Sequence, residues 1–104
     1  MKTEFINNKD NDTIYLKVSI VEPILVSCIN DVSFSEIYLK LQKITSGRIL
    51  KEYLFHLIDG LFIVYNGKKR TFKTCECGFE LLYLIHIQAD RNIVDYKDLS
   101  IKVE

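Results

Sequence analysis

One stretch constrains the fold of this chain more than any other, because it predicts a helix that leads directly into a hairpin. Residues 46–59 begin with Ser46, a residue type that commonly caps helices, and Gly60 follows as a residue that readily takes positive φ and ends them. Between these two residues the apolar side chains recur at helical spacing. The predicted buried stripe consists of Leu50, Leu54, Leu57 and Ile58.

Two runs rich in β-forming residues come next, Leu61–Tyr65 and Arg70–Thr74. Asn66-Gly67 stands between them, and this dipeptide is a strong short-range signal for a β-hairpin. The tip of the predicted hairpin carries three consecutive cations, Lys68, Lys69 and Arg70. The sequence therefore predicts a helix followed by a hairpin with a basic tip.

Positive charge is concentrated around this stretch although the formal net charge of the 104 residues is zero. Eight basic and two acidic residues fall between Lys40 and Lys73, an excess of six positive charges, so the remainder of the chain carries an excess of six negative ones. A neutral protein can still present such a cluster to phosphate groups, although charge runs often form only a solvated face.

Two shorter helices are predicted before residue 46. Ser19 and Glu22 have the spacing of a capping box, which predicts a helix through Ile29 with Ile20, Ile24, Leu25 and Cys28 facing the core. Ser33 and Glu36 predict a second helix through Ile44. Its expected core face consists of Ile37, Leu41 and Ile44.

A last helix is predicted over residues 75–90, capped by Thr74. From Phe79 to Ala89 it is apolar on nearly every side, whereas a surface helix of a monomer shows a polar face. We therefore expect one face to pack on its own domain and another to pack on a second copy of the chain. The expected dimer interface consists of Phe79, Leu82, Tyr83, Ile85 and His86.

The chain is expected to form one domain over residues 13–92, between a flexible polar arm (1–12) and a tail (93–104). Leu99, Ile101 and Val103 alternate in the tail and predict an added strand, beside a strand over residues 13–18. The apolar runs are shorter than the ~20 residues of a membrane span, and the first ten residues hold no signal-peptide core. An intracellular, cytoplasmic protein is therefore expected.

The ordered set Leu50-Lys-Glu-Tyr-Leu54, Leu57, Gly60-Leu-Phe62, Thr74 and Gly78-Phe-Glu-Leu-Leu82 resembles the winged helix-turn-helix transcriptional regulators common in archaea, a type also frequent in viruses of thermophilic archaea. The resemblance covers roughly residues 19–90. It implies an α+β fold of three helices, a β-hairpin wing and a C-terminal dimerisation helix. The implied function is sequence-specific binding of double-stranded DNA as a homodimer, at a near-palindromic site. The N-terminal arm, Pro23 and the cysteines at 75 and 77 depart from the pattern.

The DNA-contacting residues follow from a step of 100° per residue along the third helix, whose side opposite the buried stripe carries Arg48, Glu52, Phe55 and Asp59. We expect Arg48 to read guanine and Glu52 to accept from cytosine or to orient Arg48. Ser46 and the first amides of that helix can hold a phosphate. The remaining cations are expected to contact the DNA backbone or minor groove: Lys40, Lys43, Lys51, Lys68, Lys69 and Arg70.

Two other functions stay open at this stage. Glu52, Asp59 and the neutral net charge favour a protein-interaction module on the same fold. A metal- or redox-responsive regulator would use Cys28, Cys75 and Cys77, although Cys75-x-Cys77 lacks the usual two-residue gap of zinc knuckles and a further ligand would have to come from His56 or His86. The redox alternative is a disulfide within a chain or between chains. The plainest interpretation of the three cysteines is that they are buried thiols packed as small apolar groups.

Neither an enzyme nor a cofactor is expected from the sequence. His56 and His86 have no nucleophile or paired carboxylates arranged near them for acid–base work. The four glycines are scattered, so they do not form a phosphate-binding loop.

Overall fold

The computed structural model describes residues 5–6, 14–91 and 100–103. This part of the chain holds four helices and five strands, which confirms the predicted α+β class and the predicted order of three helices, hairpin and last helix. No helix within it is long and apolar enough to cross a lipid bilayer. The elements are β1 (Phe5–Ile6), β2 (Ile14–Lys17), α1 (Val18–Ser27), α2 (Phe34–Leu41), α3 (Gly47–Asp59), β3 (Ile63–Asn66), β4 (Thr71–Thr74), α4 (Glu76–Arg91) and β5 (Ser100–Val103).

Strand β2 runs straight into α1, because Lys17 is at once the last residue of the strand and the N-cap of the helix. No side chain caps this helix, so the capping box predicted at Ser19 is wrong and α1 begins before it. The backbone N–H of Lys17 donates instead to the Tyr53 hydroxyl of α3, at 3.0 Å. Pro23 therefore lies at the sixth residue of α1, where it cannot donate the hydrogen bond that the Ser19 carbonyl would accept.

Helix α1 is the centre of the core and packs against α2, α4 and β2. Its side chains Val21, Ile24 and Leu25 are completely buried, as is Cys28 directly after the helix. Burial of such side chains is the main stabilising contribution in a domain of this size. The predictions for Ile24, Leu25 and Cys28 are confirmed, while Ile20 is only partly buried against the core.

Helix α2 begins with the predicted capping box. The Ser33 hydroxyl accepts from the Glu36 N–H at 3.2 Å, and the Glu36 carboxylate accepts from the Ser33 N–H, so two unpaired donors at the helix start are satisfied. Ile37 and Leu41 are buried as expected. The helix ends at Leu41, however, so Ile44 lies in the following turn and is 54% exposed rather than in the core.

Helix α3 has the predicted N-cap, since the Ser46 hydroxyl accepts from the Ile49 N–H at 3.2 Å. Its end differs from the prediction, because Gly60 has φ −82° and the left-handed residue is Leu61, with φ 66°. The N–H of Phe62 donates to the Leu57 carbonyl and that of Leu61 donates to the Ile58 carbonyl, the hydrogen bonds of a Schellman motif. A leucine thus holds a conformation that usually belongs to glycine.

The predicted hairpin is present as β3 and β4, which pair antiparallel from Ile63 opposite Thr74 to Asn66 opposite Thr71. Its turn does not use the conformational freedom of Gly67, since the residue with positive φ is Arg70, at 56°. The Asn66 side-chain oxygen instead accepts from the N–H groups of Lys68 and Lys69, at 3.0 and 3.2 Å. The three cations at the tip therefore lie in an ordered turn.

The hairpin is attached to the connection between α1 and α2 by a bridge between Val32 and Phe72. The Phe72 N–H donates to the Val32 carbonyl at 2.7 Å, and the Val32 N–H donates to the Phe72 carbonyl at 3.1 Å. These two hydrogen bonds fix the hairpin beside the start of α2.

Thr74 does not cap α4 as predicted, because it is the last residue of β4 and is buried. Its hydroxyl donates to the Leu25 carbonyl and its N–H to the Cys28 carbonyl, both at 2.7 Å, so it satisfies acceptors at the end of α1. Gly78 of α4 lies against the same place: a Cβ there would be 2.6 Å from Thr74 Cγ2 and closer still to the Phe62 carbonyl oxygen.

A second sheet, with strand order β1-β5-β2, joins the two ends of the chain. Strand β5 lies antiparallel to β2, with Ile101 opposite Leu16, at the place where the sequence predicts an added strand. Strand β1 pairs with the other edge of β5. Phe5–Ile6 therefore form a strand within the segment predicted as a flexible arm, while the rest of that arm and Leu99 lie outside the described residues.

Candidate functional site

The side of α3 opposite the core is exposed, as the helical periodicity predicts. Leu50, Leu54 and Leu57 face inward, whereas Arg48, Glu52 and Phe55 are exposed. Ile58, predicted as the fourth residue of the buried stripe, is only partly buried. The exposed fraction is 87% for the side chain of Arg48 and 66% for Phe55. An arginine and an aromatic ring thus lie on the outer surface of this helix.

Two ion pairs reduce the free positive charge of this region. Arg48 lies 3.9 Å from Glu52, one helical turn away, and Lys69 of the hairpin turn lies 3.8 Å from Asp31. Pairs as exposed as these contribute little to stability, at most about 1 kcal/mol, and separate at little cost. Both cations can therefore exchange an acidic partner for a phosphate or a base edge. The sequence-based hypothesis that Glu52 orients Arg48 agrees with this geometry.

A groove of about 580 Å³ lies between α3, the hairpin and the start of α2, and we call it the aromatic groove. Lys51 and Phe55 enter it from α3, and Arg70 enters it from the hairpin turn. The complete lining consists of Ser33, Phe34, Ser35, Lys51, Leu54, Phe55, Ile58, Tyr65, Arg70 and Phe72.

The rings in the aromatic groove support one another. Tyr65 and Phe72 face each other across the hairpin with ring centroids 4.8 Å apart, and Phe34 stacks on Tyr38 of the next helical turn at 6.3 Å. The Lys51 ammonium lies 5.5 Å from the centre of the Phe34 ring, within the range of a cation–π contact. Lys51, which the sequence analysis assigns to phosphate, is thus held over an aromatic ring at the groove edge.

The structure brings only some of the predicted DNA-contacting residues together. Lys51, Phe55 and Arg70 line one groove, with Lys68 and Lys69 in the same turn as Arg70. Lys40 and Lys43 are exposed at and beyond the end of α2 and do not line the groove. The hydroxyl of Ser46 caps its own helix.

Sequence reasoning missed the aromatic part of the groove, namely Phe34, Tyr65 and Phe72. The sequence predicts Tyr65 and Phe72 only as strand residues. Pairing the two strands in register would have found them, because residues directly opposite in a hairpin project to the same face. The proximity of Phe34 depends on the Val32–Phe72 bridge, for which the sequence contains no local signal.

The residues predicted to form the dimer interface fall into two groups on α4, one buried and one exposed. Leu82 and Ile85 are buried in the core of their own chain, so their assignment to a contact with a partner is wrong. Phe79, Tyr83 and His86 are exposed. His86 Nε2 lies 3.4 Å from the Glu22 carboxylate of α1, which holds this side chain against its own domain.

The three cysteines are free thiols in different environments. Cys28 is buried, and burial raises its pKa to about 12, an effect that the positive charge of Lys40 partly opposes. Burial also raises the pKa of Cys75, to which the neighbouring Cys77 thiolate adds, while Cys77 itself is exposed. Among the described residues, no group of three or more His, Cys, Asp or Glu side chains is placed to hold a metal ion.

Comparison with known proteins finds no match to a family model, a curated protein or a solved structure.

Proposed function

We propose that this protein is a winged helix-turn-helix DNA-binding protein that acts as a homodimeric transcriptional regulator. The order of α1, α2, α3 and the hairpin supports this fold, with α3 as the recognition helix and the hairpin as the wing. The bridge between Val32 and Phe72 supports it further, because it places the hairpin beside α2 and α3 rather than away from them.

One observation carries the proposal: Lys51 of α3 and Arg70 of the hairpin line the same groove. The turn that holds Arg70 also holds Lys68 and Lys69, so the cations of two separate elements form one basic surface. Such a surface attracts a phosphate backbone and orients it between helix and hairpin. Together with Arg48 this surface offers five cations to each DNA half-site.

Arg48 is the residue for reading base edges in this proposal. It lies in the first turn of α3, its side chain is almost fully exposed, and its partner Glu52 is itself exposed. The planar guanidinium can bind guanine with two hydrogen bonds in the major groove. Glu52 then either keeps Arg48 oriented or accepts from a neighbouring cytosine.

A homodimer belongs to the same proposal. Phe79 and Tyr83 lie one turn apart on the exposed face of α4, whose opposite face packs into the core of the chain. A dimer formed by pairing these faces through a two-fold axis reads a near-palindromic site when its two α3 helices lie about one DNA turn apart. A regulator of this kind acts in the cytoplasm, on the DNA of the cell.

The test compares Lys68→Ala with Lys17→Ala, by fluorescence anisotropy on a random duplex at several salt concentrations. Lys17 is exposed beside Tyr53, on the flank of α3 that faces away from Lys51, and serves as the matched control. Loss of one phosphate contact should lower the slope of log K against log salt by about 0.9 for Lys68→Ala and leave it unchanged for Lys17→Ala. Equal slopes for the unchanged protein and both variants would refute the proposal that the hairpin turn contacts phosphates.

A further inference from the structure

The aromatic groove has a chemistry that duplex DNA does not explain. Phe55 is 66% exposed and Tyr65 is 47% exposed, and both rings open into the groove above half-buried Phe34 and Phe72. Rings this exposed leave apolar surface in water, a cost that a ligand removes when it covers them. The outer surface of a duplex offers hydrated phosphates and sugars there, because its base faces are stacked inside.

Cations stand beside these rings. Lys51 and Arg70 line the groove, and within the described part of the chain neither of them forms a salt bridge. A ligand that complements both the rings and the cations of the groove therefore has a flat aromatic part with negative charge next to it. A nucleotide with an unpaired base has both, since every base presents a π-face and every linkage carries a phosphate.

We propose that the aromatic groove binds single-stranded nucleic acid, with an unpaired base stacked on Phe55 and Tyr65 and the adjacent phosphates held by Lys51 and Arg70. This inference rests on the proposed nucleic-acid function and specifies the form of nucleic acid that the aromatic groove binds. The groove volume of about 580 Å³ is in the ~300–1,000 Å³ range of small-molecule sites, so a single nucleotide fits it.

The acidic residues of α3 fit this form. Asp59 and Glu52 lie on the side of the helix that faces away from the core, outside the lining of the aromatic groove. Lys51 and Ile58 lie on the flank that lines the aromatic groove, so a single strand passing through the groove meets the cation and avoids both carboxylates.

The experiment measures binding of the full chain to a fluorescent 12-nucleotide oligothymidine and to a random duplex of 12 base pairs, by anisotropy at low and moderate salt. The test variant is Phe55→Leu, which keeps an apolar side chain and removes the ring. The matched control is Leu39→Ala, which truncates a side chain that is 65% exposed on α2 and outside the groove. Circular dichroism confirms that both variants are folded.

The inference expects Phe55→Leu to weaken binding of the single strand about 5- to 150-fold, the loss of one base–aromatic stack, and to weaken binding of the duplex by a much smaller factor. Leu39→Ala should change neither. If Phe55→Leu weakens binding of the single strand no more than Leu39→Ala does, the inference is overturned. The proposed function stays intact in that case if the unchanged protein binds the duplex. If the unchanged protein binds neither probe at low salt, the proposed function fails as well.

Discussion

Replacing Gly78 by alanine should destabilise the protein severely although glycine is a poor helix former. In an open helical position this change stabilises by about 0.5–1 kcal/mol. At Gly78, the third residue of α4, the new Cβ would be 2.6 Å from Thr74 Cγ2, 3.3 Å from Leu25 Cδ2, and within clashing distance of the Phe62 carbonyl oxygen.

None of these neighbours can move without further loss. The Phe62 carbonyl accepts from the Cys75 N–H at 2.9 Å, and the Phe62 N–H is part of the hydrogen-bonded end of α3. Thr74 is held to the end of α1 by two hydrogen bonds of 2.7 Å. Relief of the clash would therefore stretch buried hydrogen bonds or shift α4, and we expect a net loss of about 3 kcal/mol, at the upper end of overpacking costs.

Urea denaturation followed by circular dichroism at 222 nm measures this effect. A loss of about 3 kcal/mol corresponds to a fall in Tm on the order of 10–20 °C for a domain of this size. Gly47→Ala is the control, since a Cβ at that helical glycine would meet only the Tyr38 ring, at an ordinary 3.7 Å from Cε1 and 4.0 Å from Cδ1, and it should leave stability unchanged or slightly higher. If Gly78→Ala were within about 0.5 kcal/mol of the unchanged protein, the close packing of α4 on the end of the hairpin would be refuted.

Two further substitutions and one labelling experiment test other parts of the structure. Leu61→Gly should stabilise the protein by about 0.5–1 kcal/mol in urea denaturation, because Leu61 holds φ 66° with its side chain 67% exposed; a loss of stability would contradict the left-handed helix end. Tyr53→Phe should cost about 0.5–1.5 kcal/mol by removing the acceptor for the Lys17 N–H, and an unchanged midpoint would show that this bond does not tie α3 to α1. In thiol labelling at neutral pH, exposed Cys77 should react rapidly and Cys28, with a pKa of about 12, only after unfolding; rapid labelling of Cys28 in the native protein would contradict its burial.

The elements with strong local signals were predictable from the sequence. The Ser33 capping box and the Ser46 cap are side chains that bond to backbone three residues away, so short-range spacing is enough to find them. The buried stripe of α3 follows from helical periodicity in the same way. Local hydrogen bonding and a 3.6-residue period require no knowledge of the tertiary fold.

The wrong predictions concern residues whose role is decided by distant parts of the chain. Threonine is a residue type that commonly caps helices, but the hydroxyl of Thr74 donates to the Leu25 carbonyl, 49 residues earlier. The start of α1 is set by β2 and Tyr53 rather than by Ser19. Leu61 takes the left-handed conformation although a glycine precedes it, which local propensity does not predict.

The candidate site was predictable in its charges and not in its shape. The excess of basic residues from Lys40 to Lys73 is visible in the sequence, and the exposed side of α3 follows from its period. Which cations meet in space depends on the pairing of Val32 with Phe72 and on the four-residue turn of the hairpin. The same pairing brings Phe34 and Tyr65 into the aromatic groove.

The salt dependence of duplex binding tests the central claim most directly. If Lys51, Lys68, Lys69 and Arg70 of each protomer neutralise phosphates, log K should fall with log salt with a slope of about −3.6 per protomer, so affinity drops roughly 150-fold for each protomer between 50 and 200 mM salt. Anisotropy of a labelled random duplex over that range measures the slope. A slope near zero, or no binding at 50 mM salt, would contradict the assignment of this basic surface to nucleic acid.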